Sequence, residues 1–196
     1  MKEAMFFAGA NGSGKSTLAK QTVFNGKFIN ADLYAEDFLG HLPSGEEKDR
    51  LATIGATKEI MNAIKSEKSF AYETVLGTSS TFPSEFFNRL KRNGYKIIVH
   101  YVGLETPEIN ISRVKKRVAQ GGHDIPTDKI RARYEKAMQY LPQLMDISDL
   151  AILYDNSIDD GDGARPFMIK AGTYGIKLGP IPNWAKFLFT APQKHN

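Results

Sequence analysis

Apolar and polar positions along the chain fall into short blocks whose period changes from one to the next. Residues 4–8 are a continuous apolar run, of the length of a buried strand. A glycine-rich segment follows, and residues 16–23 then carry a helical pattern. Residues 28–30 predict a second short strand with Ala31 and Asp32 at its carboxyl end. Ser44-Gly45-Glu46-Glu47 has the form of a capping sequence, and apolar residues at Leu51, Ile54, Ile60, Met61 and Ile64 predict a long helix ending near Ser66. Residues 69–75 contain a third strand, and 83–93 predict a helix closed by Gly94. Residues 95–102 are rich in β-branched and aromatic side chains, the pattern of a central strand. Residues 108–120 are helical, Gly121-Gly122 breaks the pattern, and 127–145 resume it after Pro126. Residues 150–154 predict a fifth strand. Beyond Asp155 the pattern weakens to a polar loop over 159–163, then a small hairpin and a Trp184-bearing segment within 166–189, with a frayed tail from Thr190.

The glycine-rich segment Gly9-Ala10-Asn11-Gly12-Ser13-Gly14-Lys15-Ser16 fits G-x-x-x-x-G-K-[ST], between a strand and a helix as a phosphate loop requires. Its glycines let successive N–H groups turn inward onto phosphate oxygens, and the helix that follows adds its positive dipole end. Lys15 is placed to neutralise the β- and γ-phosphates, and the Ser16 hydroxyl to ligate Mg²⁺. Residues 9–17, through Thr17, are thus the expected ATP-binding segment, with GTP as the alternative donor. The alternation of strand and helix around this loop predicts an α/β fold of the P-loop NTPase kinase type. Its mainly parallel five-stranded sheet would carry helices on both faces, with ligands beyond the carboxyl ends of the strands. Residues 1–157 are expected to form the core, with a helical lid at about 106–135. Residues 158–196 are expected to pack on that core as a C-terminal extension.

Composition narrows the picture. The 196 residues, 41% of them hydrophobic, suffice for one sizeable core. A formal charge of +4 and a pI near 9.1 point to an anionic partner. Basic residues crowd 113–117 and return at Arg131, Arg133 and Lys136, whereas Glu36, Asp37, Glu46, Glu47 and Asp49 make the earlier part acidic. The basic segment reads either as an anion site or as a solvated helix face. With no cysteine, disulfides, thiolate nucleophiles and thiolate metal sites are excluded. The first apolar run is too short for a signal peptide or membrane span, so a cytoplasmic protein without a membrane partner is expected.

Acidic groups at strand ends supply candidate acceptor chemistry. Asp32 is placed to accept a proton from a substrate hydroxyl or to help hold Mg²⁺ through water; alternatively it caps the helix that follows. Glu73 and Thr74 emerge at the end of the third strand, either to recognise a substrate hydroxyl or as a solvated strand end. Residues 97–102 lead to Gly103-Leu104-Glu105, not to an isolated Asp, which favours a small-molecule kinase over a motor-type ATPase. Arg113 and Arg117 lie one turn apart on one helix, and Arg131 and Arg133 open the next. Between them His123, in Gly121-Gly122-His123-Asp124-Ile125-Pro126, is either a donor in a hinged lid or a loop-capping side chain. A mobile helix-loop-helix bearing arginines suits phosphoryl transfer, because closure excludes water and the arginines stabilise spreading negative charge. His41, His100 and His195 lack partner spacing for zinc.

Taken together, residues 9–17, Phe28-Ile29-Asn30-Ala31-Asp32, Tyr72-Glu73-Thr74, the run from Arg113 to Pro126, Arg131-x-Arg133-Tyr134 and Tyr154-Asp155-Asn156-Ser157 resemble the zeta-toxin family of kinases over about residues 3–157. The resemblance implies ATP- and Mg²⁺-dependent phosphorylation of the 3′-hydroxyl of UDP-N-acetylglucosamine or a related nucleotide sugar, and an antitoxin protein as a partner. On it, Asp32 matches the general base, Lys15 and Ser16 the phosphate and Mg²⁺ contacts, Glu73 and Thr74 the sugar-side contacts. The segment from Arg113 to Arg133 matches the arginine-bearing lid, with Arg117 and Arg133 as its catalytic members. The lid loop carries Gly-Gly-His where one lid arginine is expected, so His123, Arg131 or Arg133 takes that part. Two rival readings remain: a polynucleotide or RNA-end kinase, against which the aromatic residues fall mostly in core patterns, and a nucleotide-gated binding protein that phosphorylates nothing.

Overall fold

The structure is a computed structural model and describes residues 1–43, 45–76, 84–122, 124–159 and 161–190. Strand β1 (Lys2–Gly9) is buried on both faces from Ala4 onward because it lies between two parallel partners. One partner is β3 (Phe70–Val75) and the other β4 (Tyr95–Gly103). On the far side of β3 runs β2 (Lys27–Ile29), and beyond β4 runs β5 (Leu150–Asp155), both parallel to their neighbours. The five strands read from the sequence therefore make the parallel part, in the order β2-β3-β1-β4-β5. The hairpin read near 166 is β6 (Arg165–Ala171) and β7 (Tyr174–Lys177). It pairs antiparallel with β5 and brings the sheet to seven strands among the described residues, two more than the parallel five. A polar connection of about ten residues after β5 is too short to cross back parallel, so the chain reverses at the edge.

Helices cover both faces. On one, α3 (Glu46–Lys65), α4 (Ser84–Arg92) and α6 (Thr127–Ile147) press Ile60, Ile64, Phe87, Leu90, Leu141 and Leu144 against Phe6, Phe70, Val99 and Leu153. On the other, α1 (Lys15–Gln21) lays Leu18 and Ala19 over Met5, Phe7, Ala71 and Ile98. Each fully buried side chain of this kind contributes about 1.5–3 kcal/mol to holding the helices on the sheet. Two further helices frame the site: α2 (Ala31–Phe38) follows β2 directly, and α5 (Pro107–Val118) follows β4, opening at Pro107.

The α3 stripe differs from the expected one. Ile60 and Ile64 are buried, but Ile54 faces solvent, and Ala52, Gly55 and Ala56 take the inner face. The reason is α2, whose Tyr34 ring lies where a Gly55 side chain would stand, 2.1 Å from a Cβ built there. Of the expected capping sequence, Gly45 occupies the N-cap with no side-chain bond, while Ser44 lies outside the described residues. The last helix, α7 (Phe187–Thr190), follows a 3-10 turn at Asn183–Ala185, and the tail beyond it lies outside the described residues. Among the described residues no helix is long and apolar enough to cross a membrane.

Candidate active site

The loop after β1 folds tightly enough that two of its glycines are obligatory. Gly12 and Gly14 have φ of +74° and +102°, and a Cβ on them would meet the Asn110 carbonyl oxygen at 2.9 Å and Asn156 Nδ2 at 2.4 Å. Lys15, the first residue of α1, folds back across the loop and donates from Nζ to the Ala10 carbonyl at 2.9 Å. The side chain is buried, and that burial brings its pKa down to about 8. Glu73 and Asp32 oppose the shift, while Arg117 and Arg133 add to it. Four charged groups that the sequence singles out, on α2, β3, α5 and α6, thus act on the charge of the phosphate-loop lysine.

The acids sit on either side of it. Ser16 Oγ donates to Glu73 Oε1 at 2.6 Å, and Asn30 Nδ2 donates to Glu73 Oε2 at 2.7 Å, so both carboxylate oxygens at the end of β3 are held. Asn30 in turn accepts from the backbone N–H groups of Asp32 at 2.7 Å and Leu33 at 3.4 Å, which makes it the N-cap of α2. Asp32 is therefore not the cap. Its carboxylate stands exposed in the first turn of α2, beside the positive end of that short helix. Thr74 is buried, and its side chain hydrogen-bonds Tyr72. Burial raises the Tyr72 pKa, the Thr74 bond opposes this, and the Asp32 charge adds to it, so Tyr72 lies within electrostatic reach of Asp32.

Helices α5 and α6, expected as the lid, contact the loop from the other side. Asn110 of α5 donates to the Asn11 carbonyl at 2.5 Å, and Arg133 Nη1 of α6 donates to Asn11 Oδ1 at 3.0 Å. Burial draws the Arg133 pKa down, with Asp49 of α3 opposing it. Arg113 lies along the same face of α5, its Cβ 3.5 Å from a Cβ built on Gly12. Arg131 points elsewhere, into an exposed ion pair with Glu108 that ties α6 to α5. A small apolar cluster of Ile111, Val114 and Ile130, with Val118 and Ile125 against it, holds the two lid helices together. His123 lies outside the described residues. From behind, Asn156 Nδ2, just past β5, donates to the Ser13 carbonyl at 2.8 Å.

Asn30, Tyr72, Asn110 and Asn156 are site residues that the sequence reading gave no role. Asn30 carried a readable signal, since Asn immediately before a helix is a favoured cap. Asn110 carried none, because a polar residue on an amphipathic helix says nothing of a contact 99 positions away. Among the described residues no three His, Cys, Asp or Glu side chains gather to hold a metal ion. The hydroxyl–carboxylate pair of Ser16 and Glu73 beside the phosphate loop is a donor set suited to a hard divalent cation that shares its remaining ligands with phosphate.

No family model matches the chain. A protein of uncharacterised function from Haemophilus influenzae is 32% identical over 136 residues, which are 67% of this chain and 92% of that protein. Among solved structures, the AvrRxo1-ORF1:ORF2 complex with ATP superposes with a TM-score of 0.68 at 13% identity, over 91% of this chain and 61% of that one. The PezAT chromosomal toxin–antitoxin system of Streptococcus pneumoniae gives 0.57 at 15%, over 99% and 81%. The Pnkp1/Rnl/Hen1 RNA repair complex gives 0.58 at 21%, over 75% and 47%. The chain thus spans about half to two thirds of the AvrRxo1 and RNA repair chains it matches. At such identities the likeness is one of fold.

Proposed function

The chain belongs to the same family as the Haemophilus influenzae protein and has the fold of the zeta-toxin-like P-loop kinases, and from that premise we propose that it is an ATP-dependent kinase of a small hydroxylated acceptor. The observation that carries this reading is the set of groups around the loop: Glu73 on the Ser16 hydroxyl at 2.6 Å, Arg133 on Asn11 at 3.0 Å, and Asp32 exposed in the first turn of α2. A nucleotide switch needs the lysine; it has no use for a free carboxylate at the mouth of the loop. Lys15 and the inward N–H groups of residues 12–16 bind the β- and γ-phosphates. The Ser16 hydroxyl, with Glu73 behind it, would hold Mg²⁺, which when bound neutralises charge between those phosphates.

The bond from Ser16 supports a metal-side role for Glu73 in place of the sugar-side one the resemblance implies, and in this reading the acceptor lies beside Asp32, Thr74 and Tyr72. Asp32, released from capping by Asn30, takes the proton from the acceptor hydroxyl as the oxygen attacks the γ-phosphorus. Arg133 and Arg117, brought by the lid, stabilise charge on the transferring group. UDP-N-acetylglucosamine, at its 3′-hydroxyl, is the acceptor the resemblance supports best. The reaction, which consumes ATP, belongs in the cytoplasm. An antitoxin that covers the cleft is the partner class suggested by the PezAT likeness. The test is incubation of purified protein with ATP, Mg²⁺ and UDP-N-acetylglucosamine, read by mass spectrometry for a phosphate gain. No phosphosugar from the wild type ends the acceptor assignment. Asp32→Asn is expected to lower kcat about 10²- to 10⁴-fold with ATP affinity little changed, and near-normal turnover in that variant removes the general-base role.

A second reading has one observation in its favour, the likeness to the RNA repair complex. An RNA-end kinase would phosphorylate a 5′-hydroxyl oligonucleotide and bind it with a steep salt dependence. Transfer of labelled phosphate to such an oligonucleotide, with none to the nucleotide sugar, would select it.

A further inference from the structure

The C-terminal segment ends in a contact that leads, bond by bond, to the phosphate loop. After the β6–β7 hairpin the chain returns to the sheet at Asn183–Ala185, where Trp184, the one tryptophan of the chain, is buried. Its ring lies 5.8 Å from that of Tyr101 and edge-on to Phe167 at 5.5 Å. The space it fills exists because residue 103 is glycine: a Cβ there would lie 2.3 Å from Trp184 Cζ2. Such a fit fixes the ring, and the ring aims its single N–H at one acceptor. Nε1 donates to Asp155 Oδ1 at 2.9 Å, at the carboxyl end of β5.

That carboxylate oxygen is shared. Ser157 Oγ donates to it at 2.5 Å and accepts from the Glu105 backbone N–H at 2.8 Å, so the turn after β5 is stapled to the turn after β4. Asn156, between the two residues, is pinned through its own N–H to the Gly103 carbonyl at 3.1 Å. Its side chain is left pointing at the phosphate loop, where Nδ2 donates to the Ser13 carbonyl at 2.8 Å. A loop that binds phosphate through N–H groups must turn its carbonyls away from the anion. In a trans peptide the carbonyl and the next N–H point in opposite directions, so tying back the Ser13 carbonyl turns the Gly14 N–H the other way, away from Asn156.

We infer that Trp184 is a positioning residue for the nucleotide: through Asp155 and Asn156 it sets the Ser13–Gly14 peptide, so that the segment from Arg165 to Ala185 is part of the ATP-binding unit. The inference rests on the kinase reading only in taking ATP as the ligand of the loop. Trp184→Phe keeps an aromatic ring against Tyr101 and Phe167 and removes the donor alone. It is expected to weaken ATP binding about five- to tenfold, less than the full worth of a hydrogen bond to a charged acceptor, because only part of that loss is passed on through Asn156 to the loop.

The experiment is calorimetric titration of ATP with Mg²⁺ into the full chain and into Trp184→Phe, Asn156→Ala and the double variant, each confirmed folded by circular dichroism. A residue that acts through Asn156 adds nothing once Asn156 is gone, so the double variant should bind as weakly as Asn156→Ala and no more weakly. A general packing defect would add its loss in full, and that additivity overturns the inference. So does an unchanged dissociation constant in Trp184→Phe. If the wild type fails to bind ATP, the kinase reading falls first and this inference with it. Should Trp184→Phe not fold, Asp155→Ala takes its place in the cycle, with Ser157→Ala beside it as the control for the Ser157 contact it also removes.

Discussion

Lys15 is the phosphate-loop residue whose charge is set first by its burial. Burial makes its charged form costly in the free protein, and a pKa of about 8 leaves it partly neutral just above physiological pH. Bound phosphates favour the charged form, so binding must drive proton uptake wherever the free lysine is neutral. The sign is fixed by that lowering: below pH 8 the lysine is already charged and affinity is flat on this account. Well above pH 8 ATP affinity should fall by about tenfold per pH unit until the pKa of the bound state is reached. Calorimetry in two buffers of different ionisation enthalpy should detect the proton taken up at pH 9 and its absence at pH 6.5. Asn30 offers a test of a different kind, since one side chain both caps α2 and holds Glu73. Asn30→Ala should cost about 0.5–2 kcal/mol of stability in denaturant unfolding and lower kcat. Asn30→Ser keeps an N-cap acceptor, so it should restore most of the stability without restoring kcat; recovery of both would show that the Glu73 contact has no catalytic consequence.

At the scale of elements, the position of Asp32 depends on how α2 lies on α3. Helix α2 has no buried residue, and Leu33 and Phe38 are exposed. It is held by its cap at one end and by Tyr34, whose ring sits over Gly55. Gly55→Ala would place a methyl group within 2.1 Å of that ring, in a helix where alanine is otherwise the better residue. Overpacking there should destabilise by about 1–3 kcal/mol and shift α2, so kcat should fall while ATP affinity holds. Equal losses in both parameters would mean that α2 does not position the acceptor acid. The same helix shows why the sequence was only partly legible. Strands β1 and β4 declare themselves as continuous apolar runs because both faces are buried. Helix α2 buries no stripe, so it leaves no 3.6-residue signal; a cap-type residue is its mark, read at Asp32 where the structure has Asn30. Ile54 misled for the converse reason, as the inner face of α3 at that turn is occupied by a ring from another helix.

Across the whole molecule, the lid is the element that joins the two halves of the site. Helix α6 reaches the phosphate loop through Arg133 and Asn11, and helix α3 through the exposed Lys129–Glu46 ion pair at 2.9 Å. The residues that make these bridges are 122 and 83 positions apart, so periodicity and motif spacing could announce a basic lid but not which arginine turns inward. The exposed pair is screened by salt; the contact from the half-buried Arg133 is screened less. Arg133 already meets the loop in the free protein through a neutral amide oxygen, and a phosphate oxygen is a better acceptor for a guanidinium than that amide. ATP should therefore tighten the lid instead of merely filling the cleft. Amide hydrogen exchange in α5 and α6 should slow when ATP and Mg²⁺ are added, and by more than the uniform slowing that native-state binding gives to amides of β1 and β4 exchanging through global unfolding. In Arg133→Ala the lid protection should be lost even at ATP concentrations that saturate the phosphate loop. Protection that survives this substitution would place the closure on Arg117 or on the α5 contact through Asn110, and would remove Arg133 from the lid's working contacts with the nucleotide.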